Sequence, residues 1–265
     1  PECHTPLLRW FVQTLLPSGR HTATTLYGLP GWVAHIFSNA WGFTAPGWSI
    51  WWGMHPTGGA WVASHLWDHY LFSGDNQFLA DHAYPILKEA AEFFLEYLLH
   101  EGQPYPVAMV PTADRILIDE IFSACITASH LLGVDGDLRA RLHVARAKLP
   151  PFQVGKQGQL QEWLVDYDEA LPHHRHTSHL LSVFPFAQIS PDQTPELAAA
   201  AKISIARREA PPEGYEEGSW GRNLITLYHA RLGDAVAAYA SLTTLFCVEG
   251  DRSLMMGTKL APRNA

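Results

Sequence analysis

The chain lacks what several broad classes of protein need. Its 18 Lys and Arg are scattered and its formal net charge is −8, so no nucleic-acid partner is expected. No apolar run reaches the roughly 18 residues of a membrane-crossing helix, so no membrane partner is expected either. The three cysteines, Cys3, Cys125 and Cys247, are far apart and carry no metal-ligand spacing. A Gly-rich phosphate loop and a nucleophile elbow are both missing, which disfavours nucleotide and serine-hydrolase chemistry. Period-2 alternation is nearly absent, and no fixed-period repeat points to a TPR or HEAT array. The chain opens Pro1-Glu2-Cys3-His4 rather than with Met, so a fragment of a longer protein is expected.

Aromatic residues are what the chain has in excess. Eight of its ten Trp (10, 32, 41, 48, 51, 52, 61 and 67) precede residue 70, alongside His35, His55, His65 and His69. Trp offers a flat apolar face and a polar N–H, which suits the C–H faces and hydroxyls of a sugar ring. The cluster reads as a binding cleft, although any one Trp could equally belong to a packing layer between helices.

The 265 residues suffice for a large buried core, and their periodicity is helical. Ile86, Ala90, Phe94 and Leu98 share one face within 76–99, as do Leu117, Ile121, Cys125, Ala128 and Leu132 within 114–132. Asp135 or Asp137 is expected to cap a helix striped by Leu138, Leu142, Ala145 and Leu149, which Pro150-Pro151 ends. Thr194-Pro195 reads as N-cap and first turn of an Ala-rich helix running to about Arg208. Further helices are expected over 6–16, 59–72, 174–184, 221–232 and 234–246. The fold class is all-α, built of helical hairpins, with 59–99 forming two long antiparallel helices.

Chemistry-bearing side chains gather on the longer irregular stretches. Glu162 beside Trp163 is followed by Asp166, Asp168 and Glu169, and then by His173-His174-Arg175-His176 and His179. Arg donates in a rigid fork and His donates or accepts, so this run could hold a neutral polyhydroxylated ligand. The plainer readings are a solvated acidic loop for Asp166, Asp168 and Glu169, and a Glu162–Arg175 salt bridge. His173, His176 and His179 at three-residue spacing lack the H-E-x-x-H pattern and any Cys partner, so no metal is assigned. Asp114, at a helix start, reads as an N-cap or ion-pair partner.

Taken together, these strings resemble glycoside hydrolase family 95, the inverting α-L-fucosidases that cleave terminal α-1,2-linked fucose. The carriers are ECHTPL at 2–7, GWVAH at 31–35, WGFTAPGW at 41–48 and GGAWVASHLWDHYLFSGD at 58–75. They continue as AYPILKEAAEFFLEYL at 83–98, PTADRILIDEIFSACI at 111–126, GQLQEWLVDYDE at 158–169, HHRHTSHL at 173–180 and ARLGDAVAAY at 230–239. The resemblance implies an (α/α)6 toroid, incomplete at both ends, over 1–245 with a divergent tail at 246–265. It implies a fucosylated oligosaccharide or glycan as partner, no cofactor, and sugar-binding roles for Trp41, Trp163, Arg175 and His176.

Departures from the family pattern bear on catalysis. An inverting glycosidase needs an acid for the leaving oxygen and a base for the water, roughly 6.5–9.5 Å apart. The family's acid is a Glu in an S-P-E type segment, expected between Leu99 and Pro111, where this chain has a shortened interval without that motif. The water-positioning Asn pair is expected upstream of Pro1, and the base, in a Q-I-D type segment, after Leu242. Phe43 stands where the family has the Asp of a W-G-D motif. Glu162 is then the nearby carboxylate left as a catalytic candidate. Two further readings remain: a non-catalytic carbohydrate-binding pseudoenzyme module, and a helical scaffold whose aromatics only pack.

Overall fold

The structure, a computed structural model, describes residues 3–47, 49, 53–99, 111–209 and 219–246. The chain forms two compact units, Pro1–Pro106 with Leu117–Pro150, and Val107–Ile116 with Pro151–Ala265. The class is all-α: among the described residues there is no strand, only an isolated bridge between Val154 and Leu160. No described helix is long and apolar enough to cross a membrane.

In the first unit, helix α1 covers residues 5–27, well past the expected end at 16. It is α-helical over Thr5–Trp10 and Leu16–Thr22 and widens to π register over Phe11–Leu15 and Ala23–Tyr27. The first widening has a cause in the sequence. Pro17 has no N–H for the carbonyl four residues back and its ring presses on it, so the turn before it opens instead of the helix ending. Pro85 stands in the same relation to the π turn Leu79–Ala83. Gly28, at φ 66°, closes α1 in the left-handed conformation.

Helix α2, Gly58–Ser73, and helix α3, residues 76–99, pack on each other across the two-residue turn Gly74-Asp75. The Asp75 carboxylate caps α3, accepting from the backbone N–H of Gln77 and Phe78 at 2.9 and 3.0 Å. Ile86, Ala90 and Phe94 of the expected stripe are buried along α3 and Leu98 is half-buried, while Leu79, Leu87 and Phe93 are buried beside them. The chain after α1 crosses α3 closely. A Cβ on Gly31 would fall 2.1 Å from the Glu89 carbonyl oxygen, and Gly31 sits at φ 79°, so only glycine fits there.

Helix α4, Thr112–Leu132, begins in the second unit and runs through the first; Gly133 ends it and α5, Gly136–Arg146, follows. Asp135 stands at the N-cap of α5 but does not cap it. Its backbone is left-handed at φ 52°, and its carboxylate accepts from Tyr84 Oη at 2.7 Å and Lys88 Nζ at 2.9 Å, tying this turn to α3.

The second unit holds α6, Pro195–Glu209, α7, Ser219–Arg231, and α8, Ala235–Thr244, with α7 and α8 packed together. Leu160, Leu180, Val183, Ala201, Ile205 and Tyr228 lie at the centre of its core. Thr194 precedes α6, but its hydroxyl bonds back to Ser190, accepting from the N–H at 2.9 Å and donating to the carbonyl at 3.1 Å. The helix expected over 174–184 is corrected to an irregular loop ending in one 3-10 turn, Ser178–Ser182. Thr177 Oγ1 lies 3.1 Å from Tyr228 Oη, and Ser178 Oγ donates to Glu162. These tertiary bonds fix side chains that a regular helix would spread around its axis. Residues 247–265, the greater part of the expected tail, lie outside the described residues.

Candidate functional site

The loop 162–179 of the second unit is assembled on one buried arginine. Arg208, in the last turn of α6, has a side chain only 4% exposed. Its Nη2 donates to Glu162 Oε2 at 2.9 Å and lies 3.2 Å from Glu169 Oε1. Its Nη1 donates to the carbonyls of Pro172 at 2.9 Å and Leu171 at 3.5 Å. Arg207 adds a bond to Glu169 Oε2 at 2.8 Å, and its own carbonyl lies 3.1 Å from His173 Nδ1. The backbone at 161–162 is held from the start of α4. Thr112 Oγ1 donates to the Gln161 carbonyl at 2.7 Å, and its N–H to the Glu162 carbonyl at 3.0 Å.

Glu162 is 20% exposed and both its oxygens are engaged, one by Arg208 and the other by Ser178 Oγ at 3.3 Å. Burial raises its carboxyl above the usual range, against the opposing pull of Arg208 and Ser178. His179 is buried behind it, with Nδ1 3.8 Å from Glu162 Oε2, too far for a hydrogen bond, and this nitrogen has no other partner among the described residues. Burial and the nearby Arg208 charge hold this imidazole down to about 3, so it is neutral at physiological pH. It forms no ion pair with Glu162 there.

On this frame Trp163 is 40% exposed, Arg175 is half-buried and His176 is exposed. The His176 N–H donates to His174 Nδ1 at 3.2 Å, and the two rings meet edge-on. The carboxylate run needs two corrections. Glu162 pairs with Arg208, and Glu169 is a half-buried ion-pair partner of Arg207 and Arg208 rather than a solvated residue. Asp166 is held by the Lys156 N–H and Gln159 Nε2, whereas Asp168 is solvated and paired with Lys156 Nζ at 2.5 Å. His173, His176 and His179 face different surroundings, and among the described residues no group of three or more His, Cys, Asp or Glu is placed to hold a metal ion. Asp114 falls in the first turn of α4.

The first unit presents Trp41, which is 86% exposed, on the loop 35–47. Asn39 Oδ1 accepts from the N–H of Trp41 at 3.1 Å and of Phe43 at 3.3 Å, and Trp10 Nε1 donates to the Ala40 carbonyl at 3.0 Å. Thr44 anchors the loop from inside. Its carbonyl accepts from His35 Nδ1 at 2.7 Å and from the His35 N–H at 3.1 Å. Its Oγ1 lies 2.7 Å from Thr22 Oγ1 and 3.2 Å from Ser18 Oγ. A carbonyl can only accept, so Nδ1 of His35 carries the proton and Nε2 accepts from Tyr27 Oη at 2.7 Å. Burial pushes the His35 imidazole below its ordinary value.

The Trp-rich stretch therefore divides. Trp32 and Trp67 are core residues, Trp32 with its N–H on the Ile86 carbonyl at 2.9 Å, while Trp41 is open to solvent. Trp48, Trp51 and Trp52, and the interval 100–110 where the family's acid is expected, lie outside the described residues. Sequence reasoning missed Arg207 and Arg208. The available signal was a pair of arginines ending an Ala-rich helix on its buried side, with acidic residues otherwise short of cations.

A family model, the glycosyl hydrolase family 95 catalytic domain, matches residues 1–103 and 96–262. Alpha-L-fucosidase 2 of Arabidopsis thaliana is 34% identical over 269 aligned residues, covering 92% of this chain and 31% of the relative. Probable alpha-fucosidase A of Aspergillus niger is 31% identical over 206, covering 69% of this chain and 26% of the relative. The chain thus spans less than a third of the length of either relative. With matching segments that together run from residue 1 to 262, the chain belongs to the glycosyl hydrolase family 95 catalytic-domain family.

Proposed function

We propose that the intact protein is a glycoside hydrolase that removes terminal α-L-fucose from an oligosaccharide or glycan with inversion, and that this chain supplies sugar-holding surfaces of its catalytic domain. The relatives' names support the substrate class. The observation that carries the chain's own role is the loop of Trp163, Arg175 and His176 braced on Arg208. An indole, a guanidinium fork and an imidazole carried on one loop can offer stacking and hydrogen bonds to a neutral sugar. Trp41, on its own anchored loop, supplies a second exposed indole.

Glu162 serves in this reading as an anchor. A general acid must present a protonated oxygen to the leaving group, and both Glu162 oxygens are already engaged by protein donors. The same observation favours the second reading, a non-catalytic carbohydrate-binding module. It is supported too by the two family segments meeting at 96–103, beside the interval where the acid is expected.

The test is release of L-fucose from 2′-fucosyllactose by the purified chain and by Glu162→Gln. The expected outcome is no turnover above the uncatalysed rate by either. A positioned acid or base each contributes about 10²–10⁴-fold, so restoring an S-P-E segment between 100 and 111 within the longer protein should bring turnover back. Turnover by the chain that Glu162→Gln abolishes would make Glu162 the acid. L-Fucose binding that never yields turnover, even in the restored protein, would favour the binding module.

A further inference from the structure

We infer that Arg208 is a positioning residue: it sets the conformation of the 162–176 loop and so governs monosaccharide affinity there from beneath, without itself meeting the ligand. The inference deepens the proposed function and, for its sugar-binding arm, rests on it.

The geometry is specific to one side chain. Arg208 stands on a fixed base, because α6 packs through Ala198, Ala201 and Ile205 into the core of its unit. Its four acceptors lie at both ends of the segment that carries Trp163, at Glu162 on one side and at Glu169, Leu171 and Pro172 on the other. These bonds all run through the two terminal nitrogens; Nε is buried and has no partner among the described residues. The near end has independent anchors, since Thr112 holds the backbone of 161 and 162, and the Leu160 N–H bonds to Ser204 Oγ at 3.0 Å. The far end, from which Arg175 and His176 continue, is held at 169–173 by Arg207 and Arg208. A planar fork can bridge two carboxylates and two carbonyls at once, and a lysine ammonium cannot. Ligand-facing groups need a braced second layer to stay within tenths of an ångström of a productive pose. Arg208 is that brace.

The experiment compares the full chain with Arg208→Gln, Arg208→Lys and Glu169→Gln. Hydrogen exchange is read separately at 163–176 and in the core segments 180–183 and 197–205, and L-fucose is titrated by calorimetry. Arg208→Gln should speed exchange at 163–176 at least tenfold more than in the core segments, and weaken L-fucose binding about tenfold. Arg208→Lys should recover neither, and Glu169→Gln should give a smaller change in the same segment. Unchanged exchange at 163–176, a rise shared equally with the core, or full recovery by lysine would overturn the assignment. If Arg208→Gln does not fold, the lysine and Glu169→Gln variants carry the exchange test. If the unsubstituted chain does not bind L-fucose, the sugar-binding reading fails while the exchange pattern still decides the role of Arg208.

Discussion

The loops at 35–47 and 162–179 each hold an indole toward solvent, and they are held by opposite kinds of chemistry. Trp41 rides on neutral groups: a buried imidazole, a phenol and three hydroxyls that meet around Thr44. Trp163 rides on two carboxylates gathered by one buried guanidinium. A neutral network shares its anchoring over many bonds, each worth about 0.5–1.5 kcal/mol net. A buried ion cluster concentrates it, because each charge has given up its hydration and depends on its partner. The first loop should therefore weaken in steps, and the second should fail at a single residue.

The largest expected effect tests that contrast directly. Arg208→Ala leaves the half-buried Glu162 and Glu169 without their shared partner. Losing one side of a fully buried pair costs about 3–5 kcal/mol, so a loss of roughly 2–3 kcal/mol is expected here. Arg207 remains on Glu169 and softens the loss there, but among the described residues Glu162 keeps only Ser178 as a hydrogen-bond donor. Urea denaturation should show the midpoint falling with an unchanged slope. A cost under about 1 kcal/mol would mean that the charged frame is not concentrated at Arg208, and the contrast would break.

Acid should act next, through His179. Its folded value, about 3, lies below the ordinary 6.5, so below pH 6.5 the unfolded chain binds the proton more readily than the folded one. Stability due to this group is present above 6.5 and is lost as pH falls toward 3, by up to about 1.4 kcal/mol per pH unit. From pH 6.5 to 4.5 that amounts to about 2–3 kcal/mol. Glu162 works the other way: its raised carboxyl takes up a proton earlier in the folded state, so acidification offsets part of the loss. His35 is also held below its ordinary value, by burial, and adds a loss of the same sign in the first unit. Melting temperatures of the chain, His179→Gln and His35→Gln between pH 4.5 and 8 separate these. His179→Gln should flatten the acid limb more than His35→Gln; the reverse order would place the pH-sensitive anchor in the neutral loop.

How much of this was legible in the sequence depended on how far apart the interacting groups lie. The apolar stripes of α3 and α4 are local, and the helices appear where the periodicity puts them. The helix expected over 6–16 instead runs to 27, passing Pro17 by opening one turn, because packing of Phe11, Leu15 and Leu16 outweighs one lost hydrogen bond. A helix was expected over 174–184, but Thr177 and Ser178 find partners on Tyr228 and Glu162 that no local pattern reveals. Asp135 and Thr194 stand where caps belong and bond elsewhere for the same reason. The site was legible in its residue types but not in its wiring. Arg175 was the cation the sequence reading paired with Glu162, and Arg208, 46 residues away, is the one seen to reach it.

The smallest effect is the sharpest test of the neutral loop. Thr44 is buried, and Thr44→Val removes its bonds to Thr22 and Ser18 while nearly keeping its shape. The expected cost is about 1–2 kcal/mol, since Thr22, itself buried, loses a partner without gaining water. The backbone anchor survives, because the Thr44 carbonyl still accepts from both His35 nitrogens, and Asn39 still holds the amides of Trp41 and Phe43. Hydrogen exchange over 39–46 should thus stay within about threefold of the unsubstituted chain even as the urea midpoint falls, since the surviving bonds are each of comparable worth to those removed. Arg208→Gln should differ in its own unit, releasing 163–176 at least tenfold more than the core segments. If Thr44→Val frees its loop as fully as Arg208→Gln frees the other, the two anchors are equally brittle, and the difference between neutral and charged bracing disappears.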